Sequence, residues 1–482
     1  MGVSVWVSHG ILRRSVIERV VGGMACVFAL LIRAFFSGSE SFDQVGAVID
    51  FDDGPEIFYA KTANVLADKD ALQDVFGLKG ASGYSPCPRC DGLMIGALED
   101  PQFPKARAST SVEINNLTKA SFVKTTQTAI NSMCDELATN HREVQRKRLT
   151  KEAFEAMEMV CGITYNPSSV LFGKANRRRC PLLAVYTDDW AHSYLAKGVG
   201  GDELLLLVNK LRGCGVRYQD LREEMQSYIW PRQSVQGRYA WNVFNDKRAQ
   251  SNKDGWKSSM SEFLYVCPIV LQFAQARFSK RLAGEIESFR RLLAVLDYIL
   301  AMKKGHVAST ETLDNLVESH FEKHVEVYGN ACAKPKWHSM LHEGDQIDRD
   351  EGLVLDTMAN ERGNKVPKSF GDTIQKMEDF ERIILSRSIA HQIAHLKKFK
   401  EYPHLLGADI MWKEDLGAWI SHSLSCNGMK IGRGDIVRNL QGEYLNVLAC
   451  GQTDESLFVV GDELNVTDES DTCTIVQRFT LH

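Results

Sequence analysis

The stretch Lys79–Gly92, KGASGYSPCPRCDG, decides how this chain is read. Cys87 and Cys90 stand two residues apart, so both thiolates can reach one tetrahedral ion from a single tight turn. Pro86 and Pro88 fix φ on either side and favour a rigid knuckle. Two sulfurs are half of a structural metal site, and no Cys or His pair nearby completes it. A Cys-x-x-Cys is also a redox motif, but no thioredoxin-like pattern surrounds this one. A matching pair lies far downstream, in KPKWHSMLHEGDQI (334–347), where His338 and His342 are four apart. On one helix that spacing sets both imidazoles on the same face. Two Cys and two His would then bind structural Zn²⁺ and join the early knuckle to a late helix.

The chain has 482 residues, 44% of them hydrophobic and 25% charged, with a net charge of −5. That length predicts two or three domains. The acidic balance excludes a strongly basic nucleic-acid binder, so any such contact must come from local stretches: HREVQRKRLTK (141–151), GKANRRRC (173–180) and HLKKFK (395–400). A solvated helix face is the competing reading of each. The 12 Cys lack framework spacing, and no secretory leader is recognisable, which predicts a reduced, intracellular setting. The apolar run 20–32, VVGGMACVFALLI, is short of the ~20 residues a bilayer span needs, so it reads as a buried helix and a membrane partner is not expected.

Along the chain, residues 15–36 read as a helix and 45–67 as a β-hairpin ending at Asp68, with a short helix at 70–77. Helices are predicted over 124–140, 150–161, 201–212, 218–228, 258–278, 281–303, 310–328 and 371–400. In 281–303 the residues Leu282, Ile286, Phe289, Leu293, Leu296 and Leu300 recur at helical spacing and mark a core face. From about 418 short β-rich runs alternate with Gly/Asp turns, which predicts a small β-barrel-like module. Within it GRGDIV reads as a turn entering a strand rather than an adhesion motif.

Two acids stand near the proposed staple. Asp68 ends a predicted strand 19 residues before Cys87, and Glu361, in MANERGNKVPKSF (358–370), lies 19 residues after His342. Carboxylates on rigid elements can hold a pair of Mg²⁺ ions for phosphoryl transfer. The same clamp would bring both acids together. In YTDDWAHSYLAKG (186–198), Asp189 and His192 are three apart, suited to a second metal site or to a structural Asp–His hydrogen bond; Asp188 reads as a cap or turn residue.

These blocks, LADKDALQDVFGLKGASGYSPCPRCDG, YTDDWAHSYLAKG, KPKWHSMLHEGDQI and NERGNKV…FERIIL, resemble eukaryotic cut-and-paste transposases of the CACTA and Kyakuja-Dileera-Zisupton groups. The spacing about the clamp is also similar to that of the V(D)J recombinase core. The matched blocks span about 45–400. The resemblance implies an α/β RNase H-like core carrying a DDE triad, interrupted by a large α-helical insertion. It places Asp68 at the second acidic position and Glu361 at the third, with Cys87, Cys90, His338 and His342 on structural zinc and Asp189 and His192 in the insertion motif. The first acid has no counterpart, so the core is expected to lack its first strands and to hold Mg²⁺ poorly. The implied domains are 1–110 (core with knuckle), 111–333 (helical insertion), 334–405 (core with His pair and Glu) and 418–482 (β-module). The implied function is DNA strand cleavage and transfer by two metals if active, or a degenerate form of that enzyme. The alternative is a non-catalytic, zinc-stabilised DNA- or protein-binding protein. Implied partners are DNA phosphates and a second copy of the chain, and the implied location is the nucleus.

Overall fold

The computed structural model describes residues 17–37, 41–51, 54–92, 118–195, 198–228, 230, 237–245, 249, 255–329, 335–357, 368–370, 379–399, 404–407, 409–414, 417–426, 429–438, 444–453, 457–465 and 474–480. The chain is mixed α/β and mainly helical. It divides into two compact units. One comprises Leu12–Met225 and Ala240–Gly363, and the other Met1–Ile11, Gln226–Tyr239 and Asn364–His482.

The larger unit holds the helices α1 (Gly23–Phe36), α2 (Lys69–Phe76), α3 (Gln127–Gln145), α4 (Lys151–Cys161), α5 (Lys174–Arg179) and α6 (Leu182–Val185). Next come α7 (Trp190–Tyr194), α8 (Val199–Gly213), α9 (Tyr218–Ser227), α10 (Met260–Phe278), α11 (Ala283–Lys303), α12 (Thr310–Tyr328), α13 (Pro335–Met340) and α14 (Glu343–Arg349). Local chemistry sets several of their ends. The Asp68 carboxylate accepts from Ala71 N–H to start α2, and Gly77, at φ 69°, ends it in the left-handed conformation that favours glycine. Ser259 and Glu262 form a reciprocal capping box on α10, and Ser309 caps α12. One core gathers Leu72, Phe76, Ile130, Leu137, Val170, Leu171, Leu182 and Tyr186, with Ala29 and Ile32 of α1 packed into it. No described helix is long and apolar enough to cross a membrane.

The strands differ from the expected hairpin. Strands β1 (Ala47–Phe51) and β2 (Gly54–Phe58) form an antiparallel pair, but the chain leaves that ladder after Phe58. Residues Val65–Ala67 make a separate strand, β3, which pairs in parallel with β4 (Tyr186–Asp188) in the register Val65↔Tyr186, Leu66↔Thr187, Ala67↔Asp188. A local turn could not supply that partner; it comes from about 120 residues away because Tyr186 buries its ring against Phe76 of α2. Helix α11 forms as expected, but its buried seam is rotated. Ile286, Phe289, Leu292, Val295, Leu296, Ile299 and Met302 are buried, whereas Leu293 and Leu300 are half-buried.

Among the described residues the smaller unit contains α15 (Phe380–Phe399) and nine strands. These are β5 (His404–Leu406), β6 (Met411–Lys413), β7 (Ala418–Ser421), β8 (Ser423–Cys426), β9 (Met429–Gly432), β10 (Ile436–Arg438), β11 (Tyr444–Gln452), β12 (Leu457–Asn465) and β13 (Thr474–Thr480). They start at 404, before the expected 418, and the expected barrel is not what they form. Among the described residues there are two open antiparallel sheets, β13-β12-β11-β7-β6 with β10 also on β11, and β5-β8-β9. Each sheet turns apolar residues to a shared core: Leu405, Leu424 and Ile431 from one, Val447, Cys450 and Val459 from the other. The GRGDIV segment is a turn, as read. Asp435 is buried with its carboxylate accepting from Gly432 N–H, which leaves no presented adhesion loop.

Candidate metal centre

Backbone and side-chain hydrogen bonds shape the knuckle without a metal. Segment 122–125 runs beside it. Asp91 N–H donates to the Val123 carbonyl and Thr125 N–H to the Arg89 carbonyl, and the Asp91 carboxylate accepts from Val123 N–H. These bonds hold Cys87 and Cys90 on a fixed loop.

Arg89, inside the Cys-x-x-Cys, is buried and lashes that loop to the late helices. Its guanidinium donates to the Tyr186 carbonyl (2.7 Å), the His342 carbonyl (3.3 Å) and Gln346 Oε1 (2.5 Å), and lies 3.9 Å from the Asp188 carboxylate. Gln346 in turn acts as a strand neighbour for Asp188, accepting from its N–H and donating to its carbonyl, both at 2.9 Å. Arg349 adds donations to the Leu183 and Tyr186 carbonyls and to the side chains of Asn64 and Thr187. The knuckle, the β3–β4 ribbon and α14 are therefore one hydrogen-bonded block.

The structure brings Cys87, Cys90, His338 and His342 together. All four are buried, and their ligand atoms lie within 4.8 Å of one another. Cys90 Sγ is 3.0 Å from His338 Nε2, and the two Nε2 atoms are 3.2 Å apart. A tetrahedral zinc ion bound at ~2.3 Å to sulfur and ~2.0 Å to nitrogen sets its ligand atoms roughly 3.3–3.8 Å apart, so this donor set fits that ion with small adjustments. A Cβ on Gly92 would sit 3.1 Å from the His338 ring and 3.3 Å from Cys90 Sγ, so glycine leaves room for the imidazole. Phe122 covers the outer side, with ring centroids 5.0 Å from His338 and 4.8 Å from His342. Burial pushes the Cys87 thiol up, but hydrogen bonding from Cys90 and the nearby His342 outweigh it and the net direction is down. The Cys90 thiol is pushed up by its hydrogen bond to Cys87 and by burial.

The His pair does not lie on one helix as the spacing suggested. His338 is in α13, His342 is the N-cap of α14, and the turn between them is closed by i+3 bonds from Leu341 to His338 and from His342 to Ser339. That break swings the second imidazole toward the first.

Asp68 is exposed at the end of β3, where it caps α2. Its neighbour Lys69 hydrogen-bonds Ser339, next to His338, so this strand end does lie by the clamp. Glu361 lies outside the described residues. Asp188 ends β4 and is buried, not a cap; its carboxylate faces Arg89 and accepts from the Tyr186 hydroxyl at 3.3 Å. Asp189 is the cap of α7, accepting from Ala191 N–H, His192 Nδ1 (2.5 Å) and the Thr357 hydroxyl, so that motif forms a structural Asp–His pair.

Sequence reasoning missed Glu343. It is buried with neither carboxylate oxygen partnered by a protein hydrogen bond; burial, with Asp188, Asp189 and Asp350 nearby, pushes its carboxyl up to about 8 against the pull of Arg89. No pattern in HSMLHEGDQI distinguishes it from a surface helix-start glutamate.

The basic stretches fare differently. Arg177 is buried against Asp135 and Arg179 pairs with Asp43, so these two cations of the 173–180 stretch serve the fold, while Lys174 and Arg178 are exposed. Arg142, Arg146, Lys147, Arg148 and Lys151 are exposed around the α3–α4 turn, with Glu143 and Glu155 as partners for some of them. The side chains of 395–400 lie outside those described. No protein-family model matches the chain, and no curated protein matches it.

Proposed function

We propose that this chain is a transposase-derived, zinc-stapled scaffold built on a remnant RNase H-like core, which binds DNA phosphates and does not cut them. The observation that carries this reading is how the acids are used. A two-metal centre needs carboxylates whose lone pairs face the ions. Asp188 is turned to Arg89, Asp189 is saturated by three donors, and Asp68 caps a helix. The contact surface is the exposed α3–α4 turn, whose cations would meet phosphates without reading sequence. A nuclear location and a second copy of the chain are consistent with that partner.

The test is fluorescence anisotropy with a labelled duplex of arbitrary sequence over a salt series. Binding should weaken with salt, and reversing Arg146, Lys147 and Arg148 to glutamate should flatten the log–log slope by about 3. Absence of binding, or binding indifferent to salt and to those changes, overturns the reading.

A second reading, metal-dependent strand cleavage, is favoured by one observation. The parallel β3–β4 pair aligns Ala67 with Asp188, so Asp68 emerges from the strand end beside it. In that reading Asp68 and Glu361 hold Mg²⁺. Mg²⁺-dependent nicking lost in both Asp68→Asn and Glu361→Gln would establish it in place of the first.

A further inference from the structure

A second set of ligand-type side chains lies in the same unit and has no part in the centre described above. Glu203 of α8 and His320 and His324 of α12 are completely buried, with one ligand atom from each within 4.8 Å of the others. Their spacing on α12, in HFEKH (320–324), sets both imidazoles on one helix face toward Glu203. His320 Nε2 is 2.5 Å from Glu203 Oε2, and His324 Nδ1 is 3.5 Å from that same oxygen. The other oxygen, Oε1, accepts from the Ser288 hydroxyl of α11 at 2.6 Å, which fixes the carboxylate plane. The Trp337 ring packs on both imidazoles, at 5.5 and 4.0 Å between centroids.

The hydrogen-bond inventory is what calls for an ion. His324 Nε2 and His320 Nδ1 have no hydrogen-bond partner, although both are out of contact with solvent, and His324 Nδ1 reaches only the Glu203 carboxylate at 3.5 Å. A buried, unsatisfied polar group destabilises the fold, so a wholly apolar residue would serve packing better at 324. Two imidazoles and one carboxylate, with Ser288 orienting the latter, are instead a ligand set for a divalent first-row transition metal.

We propose that Glu203, His320 and His324 bind a second divalent metal, of the zinc class, which ties α8 to α12 independently of the thiolate site. The helix differs from a zinc-protease HExxH helix in having Phe321 where that motif carries its general-base glutamate. The buried position fits a structural ion and not a hydrolytic one.

The experiment is metal analysis of the purified full chain together with cobalt(II) substitution. Wild type should carry two equivalents of metal per chain. His324→Phe, which keeps a ring against Trp337, should carry one and retain the thiolate-to-cobalt charge-transfer band; Cys87→Ser with Cys90→Ser should also carry one, without that band. One equivalent in wild type, unchanged in His324→Phe with the thiolate band intact, overturns the second site alone. Loss of the band with the other equivalent retained would strike the first site and leave this one standing. Should a variant fail to fold, stoichiometric cobalt titration of wild type decides: saturation of the thiolate band at one equivalent, followed by a second equivalent with weak d–d absorption only, supports the proposal, and no uptake past the first refutes it.

Discussion

Withdrawing the metal from the Cys87/Cys90/His338/His342 centre should destabilise the larger unit by an amount that the topology sets. The ion joins the Cys pair to the His pair, and Cys90 and His338 are 248 residues apart. Closing a loop of that length removes about 5.5 kcal/mol of chain entropy from the unfolded state at 25 °C, if a metal link acts as a covalent one would. For a unit of this size that corresponds to a fall in melting temperature on the order of 10 °C. Differential scanning calorimetry of zinc-loaded protein, before and after a high-affinity chelator and again after zinc is restored, measures it. The double change His338→Ala with His342→Ala should reproduce most of the loss in the presence of zinc, because the Cys pair is then left without its distant partners. Melting at the same temperature in all three states would refute the staple.

Further outcomes follow from particular contacts. Arg89→Met should cost about 3 kcal/mol in denaturant unfolding and weaken zinc retention against a competing chelator, because it leaves buried Asp188 without its cation and frees the knuckle from Gln346. Leu292→Ala should cost about 3 kcal/mol and Leu293→Ala less than half that, since only Leu292 is fully buried. Glu287, held by Arg290 and Arg291, has its carboxyl lowered from 4.5 to about 2. A lowered folded-state value means the contribution is complete above about pH 4.5 and is lost as pH falls toward 2. With its side chain 31% exposed, solvent screening limits it. The stability gap between wild type and Glu287→Gln should therefore be at most ~1 kcal/mol at pH 7 and vanish near pH 2.

What the sequence made legible was chemistry carried by residue type and close spacing. Cys87, Cys90, His338 and His342 could be matched as two pairs because thiolates and imidazoles at short intervals have few other uses. The long helices α3, α4 and α8 to α12 were legible from their apolar patterns, whereas the short α5, α6 and α7 were not. Where an element depends on a distant partner, the pattern was silent. Val65–Ala67 is three residues long, and its partner β4 is held in place by the distant Arg89, Gln346 and Arg349, which no local pattern joins to it. The break between α13 and α14 was hidden because Leu341 and His342 are ordinary helix residues. HFEKH did carry a signal, two histidines four apart, but Glu203 lies 117 residues away and nothing local joins them. The paired sheets of the smaller unit and a closed barrel share the same alternation of apolar and polar residues, so strand order alone separates them.

The central claim is that one ion joins the early sulfurs to the late imidazoles. Zinc-edge X-ray absorption on the purified full chain tests it most directly. Two sulfur scatterers per chain at about 2.3 Å, alongside nitrogen at about 2.0 Å, are the predicted result, with one sulfur lost in Cys87→Ser. A zinc shell containing no sulfur, or a folded chain that takes up no zinc, would contradict it.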